Sequence, residues 1–170
     1  QPVVVESTEY FKNIVKPILN QEGDKLPVSA FTPDGMVPTG TTKFEKRGIA
    51  VKVPEWIPEN CVQCGQCSLV CPHGCIRPFL LTEEQAAAAP ESFKTVAAKG
   101  KEFAGKLYRM QVSPLDCTGC GNCVEVCPAK TKALEMKPLS AESSVQEANW
   151  EFAMKLPEPD IAFNKNTVKG

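Results

Sequence analysis

Nine cysteines stand in this 170-residue chain, and eight of them fall into two short runs of one pattern. Cys61, Cys64, Cys67 and Cys71 lead directly into Pro72, and Cys117, Cys120, Cys123 and Cys127 lead directly into Pro128. The runs, CVQCGQCSLVCP and CTGCGNCVEVCP, start 56 residues apart and share seven of twelve positions, so the chain contains an internal repeat. Thiols in such close succession are cramped as disulfide partners and suit one compact metal centre. Structural zinc asks for four ligands, commonly as two Cys-x-x-Cys pairs across a longer gap, and two dense quartets each closed by proline are a different arrangement. Three cysteines at this spacing can wrap a loop around three corners of an iron–sulfur cube. The fourth thiolate must come from elsewhere, because the chain has by then turned away into a helix. The residues therefore favour two [4Fe–4S] clusters and one-electron chemistry. Metal-bound thiolates also imply a reducing compartment, most simply the cytoplasm.

The spacing resembles that of bacterial two-cluster ferredoxins, in which the fourth Cys of each run ligates the other cluster. Carried onto this chain, the resemblance implies a first cluster on Cys61, Cys64, Cys67 and Cys127. The second falls to Cys117, Cys120, Cys123 and Cys71. Gly65 and Gly121 follow the second Cys of each run, where a Cβ would crowd inorganic sulfide and where backbone N–H groups can point at sulfur. Val62, Val70, Val126, Ile76 and Leu134 are the expected apolar shell. Cys75, outside both quartets, reads as a small buried residue packed beside a cluster rather than as a ligand. His73, the single histidine, reads as an ordinary loop residue, and Trp56 and Trp150 read as packing anchors. Lys43, Lys46 and Arg47 form a basic group that more often marks a solvated face than a docking site.

These loops need elements to hold them. A short apolar strand is expected before each run, at Ile49–Val53 and Leu107–Val112, the latter with Tyr108, Met110 and Val112 on one face. Another is expected after each, at Ile76–Leu81 and Ala133–Lys137. The pattern predicts an α+β fold of the bacterial two-cluster ferredoxin type, a pseudo-two-fold repeat of strand, cluster loop, helix and strand, with a helical insertion and extended arms. Residues 1–47 read as an N-terminal helix and linker arm, 48–140 as the ferredoxin-like domain and 141–170 as a C-terminal helix and linker. In the arm, Ser7 to Leu19 places Phe11, Ile14, Val15, Ile18 and Leu19 on one helical face, with Pro17 kinking or ending the helix early. The insertion, 82–105, opens on a capping box at Thr82-Glu83-Glu84-Gln85 and stops at Pro90, and a second helix is expected over Ser92–Lys99. It reads as a cover on the second-half side. A last helix is expected over 144–156, capped at Ser144, with Val145, Ala148, Phe152 and Leu156 on its packed face. The final eleven residues read as a linker.

A net charge of −1 gives no general pull toward nucleic acid or an anionic membrane surface. No apolar run approaches the roughly 18 residues that cross a bilayer. The opening residues have neither the charged lead nor the apolar core of a signal peptide.

The flanks extend the resemblance. The stretch from Gly40 to His73, with Ile76-Arg77-Pro78-Phe79-Leu80 after it, resembles the iron–sulfur region of pyruvate:ferredoxin (flavodoxin) oxidoreductases, and Cys127 to Leu134 and Asn149 to Ala153 look similar to the same family. That resemblance implies a large homodimeric, anaerobic enzyme in which thiamine diphosphate, Mg²⁺ and a third [4Fe–4S] cluster lie in other domains. It implies oxidative decarboxylation of pyruvate with coenzyme A, and soluble ferredoxin or flavodoxin as electron acceptor. The missing initial Met is then expected of a piece of a longer chain. No thiamine motif or third quartet is present, so catalytic residues are expected elsewhere and this segment is expected to transfer electrons only.

Overall fold

A computed structural model describes residues 7–161 and Asn166. The chain divides into two units, residues 1–46 and 47–170.

In the first unit the amphipathic stretch is helical as far as Leu19: α1 (Ser7–Tyr10), a π-helical turn (Phe11–Val15) and α2 (Lys16–Leu19). Pro17 does not end it. A proline lacks the N–H that would bond four residues back, and the widened turn sits just ahead of it, with Lys16 N–H bonded to the Phe11 carbonyl. Ile14 is buried, and Phe11 packs on Phe44 with ring centroids 5.1 Å apart. Single 3₁₀ turns (Gly23–Lys25, Val28–Ala30, Thr41–Phe44) punctuate the Pro- and Gly-rich arm.

The second unit holds both cysteine runs. Strand β1 (Lys52–Trp56) precedes the first run, α3 (Gln66–Leu69) lies within it and β2 (Ile76–Leu81) follows. The insertion supplies α4 (Glu83–Ala87) and β3 (Val96–Ala97). Then come β4 (Leu107–Val112), α5 (Asn122–Glu125) within the second run, β5 (Leu134–Pro138) and α6 (Leu139–Ala153). The first strand pairs with the last, β1 antiparallel to β5 with Trp56 opposite Leu134. A second sheet has the order β2-β4-β3, with Ile76 opposite Val112 and Val96 opposite Tyr108. The result is a small mixed α and β domain whose N- and C-terminal strands close on each other.

Three expectations about these elements are corrected. The first strand lies at Lys52–Trp56, later than Ile49–Val53; Ile49 and Val51 are exposed, and the burial that fixes the strand begins at Val53. Residues 92–99 are not a helix. The Ser92 and Lys94 carbonyls accept from the Arg109 guanidinium, Phe93 is buried, and the chain then joins β4 as β3. The last helix starts at Leu139, whose N–H bonds the Val51 carbonyl, and it is not capped by Ser144. Its inner face is rotated from the expected one. Val145 and Ala148 are exposed, while Gln146, Asn149 and Ala153 are buried. Polar residues take the inside because polar partners await them. Gln111 donates to Gln146 Oε1 at 2.7 Å, and Ser92 Oγ donates to Asn149 Oδ1 at 2.9 Å. Most of the closing linker, 162–165 and 167–170, lies outside the described residues, as do residues 1–6 at the other end.

Candidate metal centre

Each cysteine run is entered through a tight turn, a 3₁₀ turn at Pro58–Asn60 and a turn at 114–116. Each then needs left-handed backbone twice. Gly65 (φ 77°) and Gly121 (φ 80°) occupy the position just before α3 and α5, a conformation that costs an L-residue roughly 1–2 kcal/mol. Beside Gly121 a Cβ would meet no protein atom within 4 Å, so the space on that side of the loop is open. Two residues earlier the runs differ, with Gln63 (φ 59°) in the first and Gly119 (φ 72°) in the second. At Gly119 a Cβ would lie 2.7 Å from the Lys52 carbonyl oxygen, so only glycine fits. Gln63 tolerates the strain because its side chain is fixed: it donates to the Ala97 carbonyl at 2.8 Å and accepts from Lys99 N–H at 2.7 Å. Lys99 Nζ also donates to the Cys61 carbonyl, so the insertion lies against the first run. As β3 the insertion also pairs with β4, the strand leading into the second run, so it contacts both halves and not the second alone; the amide of Gln63 recruits β3 to the first loop.

The thiols are set around two places. Cys61, Cys64, Cys67 and Cys127 line one small cavity, with Trp56, Tyr108, Met110, Ala133 and Leu134 among its walls. Cys127 reaches that cavity from a run more than fifty residues away. At the other place Cys71 Sγ lies 3.5 Å from Cys75 Sγ, and Cys75 in turn donates to Cys117. Burial, and then the negative charge of Cys61, push the Cys67 thiol up to about 12. Burial, followed by Cys117, Cys120 and Cys71, pushes Cys123 up to about 11. The bond from Cys75 lowers Cys117 below the usual thiol range, while that bond and burial together raise Cys75. Cys71 is strongly opposed by burial yet held below the ordinary value by N–H groups of His73, Cys75 and Ile76. Cys120 is exposed, Cys117 is buried and the other run cysteines are half-buried.

Among the described residues no three His, Cys, Asp or Glu side chains converge closely enough to hold a single ion. The sulfurs of a cube sit farther apart than the ligands of one ion, and the first four thiols are disposed around a chamber instead. Besides the thiols and Gln63 its walls are largely apolar, and two of the residues in them carry a buried donor with no partner among the described residues, Trp56 Nε1–H and Tyr108 O–H. A soft, multi-acceptor anion bearing several sulfurs fits this donor set. Backbone N–H groups add to it, with Gly119 N–H on Cys117 Sγ at 3.3 Å and Ala133 N–H on Cys127 Sγ at 3.5 Å.

A scan against protein families matches residues 60–147 to the 4Fe-4S double cluster binding domain. The chain belongs to that family. Its two [4Fe–4S] clusters supply one-electron transfer. Residues 1–50 match a domain of unknown function. Among curated relatives, the pyruvate:ferredoxin oxidoreductase of Moorella thermoacetica is 60% identical over 98% of this chain. The pyruvate-flavodoxin oxidoreductase of Enterobacter agglomerans is 49% identical over 95%, as is the mitochondrial pyruvate dehydrogenase [NADP(+)] of Euglena gracilis. The chain spans 14% of the first two relatives and 9% of the third, so each is a far larger protein.

Of the expected apolar shell, Ile76 and Leu134 are buried, Val70 and Val126 are half-buried and Val62 is exposed. Trp56, Tyr108 and Met110 take the larger part of the wall. The signal for Tyr108 and Met110 was present in the alternation of β4, but nothing in the sequence says which side of a strand faces a metal site. His73 is exposed, and Cys75 is buried beside Cys71 and Cys117. Among the described residues no helix is long and apolar enough to cross a membrane.

Proposed function

We propose that the eight run cysteines hold the two clusters as interlaced quartets, Cys61, Cys64, Cys67 and Cys127 for one and Cys117, Cys120, Cys123 and Cys71 for the other. The observation that carries this reading is the position of Cys127 on the same cavity as the three cysteines of the first run. The nearness of Cys71 to Cys117 through Cys75 supports its other half. Interlacing would make the domain a pseudo-two-fold pair of strand, loop, helix and strand, each half borrowing its last sulfur from the other.

The chain's own residues do three things in this scheme. The cysteines fix the clusters, the left-handed glycines and Gln63 turn the loops around them, and Trp56, Tyr108, Met110 and Leu134 exclude water. The relatives' names support a place inside a larger enzyme that oxidises pyruvate; the family resemblance of the flanks adds a cytoplasmic setting, with thiamine diphosphate, Mg²⁺ and a third cluster borne by its other domains. The immediate partners are then those domains, in a homodimer, and the terminal acceptor is ferredoxin or flavodoxin. Residues 1–47, 48–140 and 141–170 serve as arm, cluster domain and C-terminal helix with linker.

Analysis of iron and acid-labile sulfide is expected to give about eight irons per chain, two cubes' worth. Cys71→Ser is expected to perturb the cluster of Cys117, Cys120 and Cys123, although it belongs to the first run. Site-resolved spectroscopy that places the whole loss on the cluster of Cys61, Cys64 and Cys67 would refute the interlacing.

A further inference from the structure

Two side chains that line the first chamber each carry a polar atom that packing alone does not use. Trp56 Nε1–H and Tyr108 O–H are buried, neither has a hydrogen-bond partner among the described residues, and both residues line the cavity shared by Cys61, Cys64, Cys67 and Cys127. Buried donors are nearly always satisfied, and an orphan needs a reason. The two rings meet edge to face at 6.2 Å, which fixes them against each other. Tyr108 belongs to the apolar group against which Cys61 and Cys67 pack.

A cation stands behind them. Arg109 is buried and its guanidinium lies 5.8 Å from the Trp56 ring and 4.3 Å from the Phe93 ring. It donates to Gln111 Oε1 and to the Lys94 carbonyl, and among the described residues no carboxylate pairs with it. Burial draws it down only to about 10, so it stays charged at neutral pH. The surroundings of the second set differ. There Ala50, Val53, Cys75 and Leu139 pack around Cys71 and Cys117, and the side-chain donor they offer is a thiol, a weak one.

We propose that Trp56 N–H and Tyr108 O–H donate to the sulfur atoms of the cluster on Cys61, Cys64, Cys67 and Cys127, and thereby hold its midpoint potential above that of the cluster on Cys117, Cys120, Cys123 and Cys71. This rests on the interlaced assignment above. Reduction adds one negative charge to a cube, and donors aimed at its sulfurs stabilise the more negative state. The two residues are positioning residues, acting through hydrogen bonds on the cluster's charge.

The test uses the chain with both clusters assembled, in Tyr108→Phe and Trp56→Phe, titrated with dithionite and followed by EPR. Iron and sulfide content is measured first, since a shortfall in the unaltered chain counts against the ligand assignment and not against the donors. Cys64→Ser identifies which of the two waves belongs to the first quartet. The expected result is that this wave is the higher one and moves to more negative potential in both variants, while the other stays in place. ENDOR before and after exchange into D₂O is expected to show an exchangeable proton coupled to the first cluster, lost in Tyr108→Phe. Waves that shift together, or a first wave that stays put in both variants, overturn the proposal. If a variant fails to assemble, the unaltered chain decides through the same ENDOR experiment: no exchangeable coupling beyond the backbone N–H groups overturns it.

Discussion

Gln63 holds a left-handed backbone position that glycine fills in the second run, and it does so by being pinned at both ends of its amide. At 2% exposure, its loss would strand a carbonyl and an N–H with little water to replace it. Each such orphan costs about 1–3 kcal/mol, so Gln63→Ala is expected to destabilise the holo domain by about 2–4 kcal/mol in urea unfolding. Gln63→Gly should lose less, since it regains part of that through the relaxed backbone. Equal losses in the two variants would show that the backbone conformation is not strained. None of this was legible in the sequence, where Gln63 is one polar residue in a loop. The cysteines and Gly65 were legible because metal ligation and left-handed turns restrict residue type strongly. Tyr108 was visible as a strand residue and Trp56 as a packing anchor, but their facing the thiols depends on how two sheets meet, which no local pattern encodes.

Among the elements, those with a strong local signal fell where expected. Strands β2 and β4 occupy the predicted residues, and the capping box of Thr82 and Gln85 is formed in both directions. Removing it through Thr82→Ala is expected to lower stability by about 1 kcal/mol, the usual loss at an N-cap, read as a fall in the thermal midpoint with both clusters retained. An unchanged midpoint would mean that α4 is held by its neighbours alone. Elements failed to follow the sequence where tertiary bonds outcompeted local ones. At 92–99 a helix would have used the Ser92 and Lys94 carbonyls internally, but Arg109 takes them. In α6 the apolar stripe was read as the inner face, whereas the buried amides of Gln111, Gln146 and Asn149 set the rotation. Strand β4 alternates polar and apolar residues, a pattern common where one face of a sheet is solvated. Both faces are covered, and Arg109, Gln111 and Ser113 are buried with the rest.

For the molecule as a whole, the cysteines are part of the core. Cys61, Cys67, Cys71 and Cys123 pack against Trp56, Ile76, Tyr108, Met110, Val112 and Leu134, and Cys75 and Cys117 against Ala50 and Val53. A separate apolar group, Leu81, Phe93 and Ala153 with Phe152 and Leu156, ties α6 to the insertion. Metal affinity is therefore expected to be folding free energy in large part. Stripping iron with a chelator under reducing conditions should abolish near-UV circular dichroism and shift Trp56 emission to the red, with Trp150 replaced by Phe to isolate the signal. Retention of the native near-UV spectrum without iron would show that the apolar groups suffice.

Strand β4 sends Tyr108 and Met110 to the thiol chamber and Arg109 and Gln111 to the opposite side. Parity thus assigns every residue of this ribbon to one of two incompatible neighbourhoods. Deleting a single amino acid upstream of it, were the slip absorbed there, would drive a guanidinium among the sulfurs and leave a phenol amid amides. The register of β4 against its two neighbours is consequently set by what stands on each of its faces, whatever freedom the surface turns enjoy.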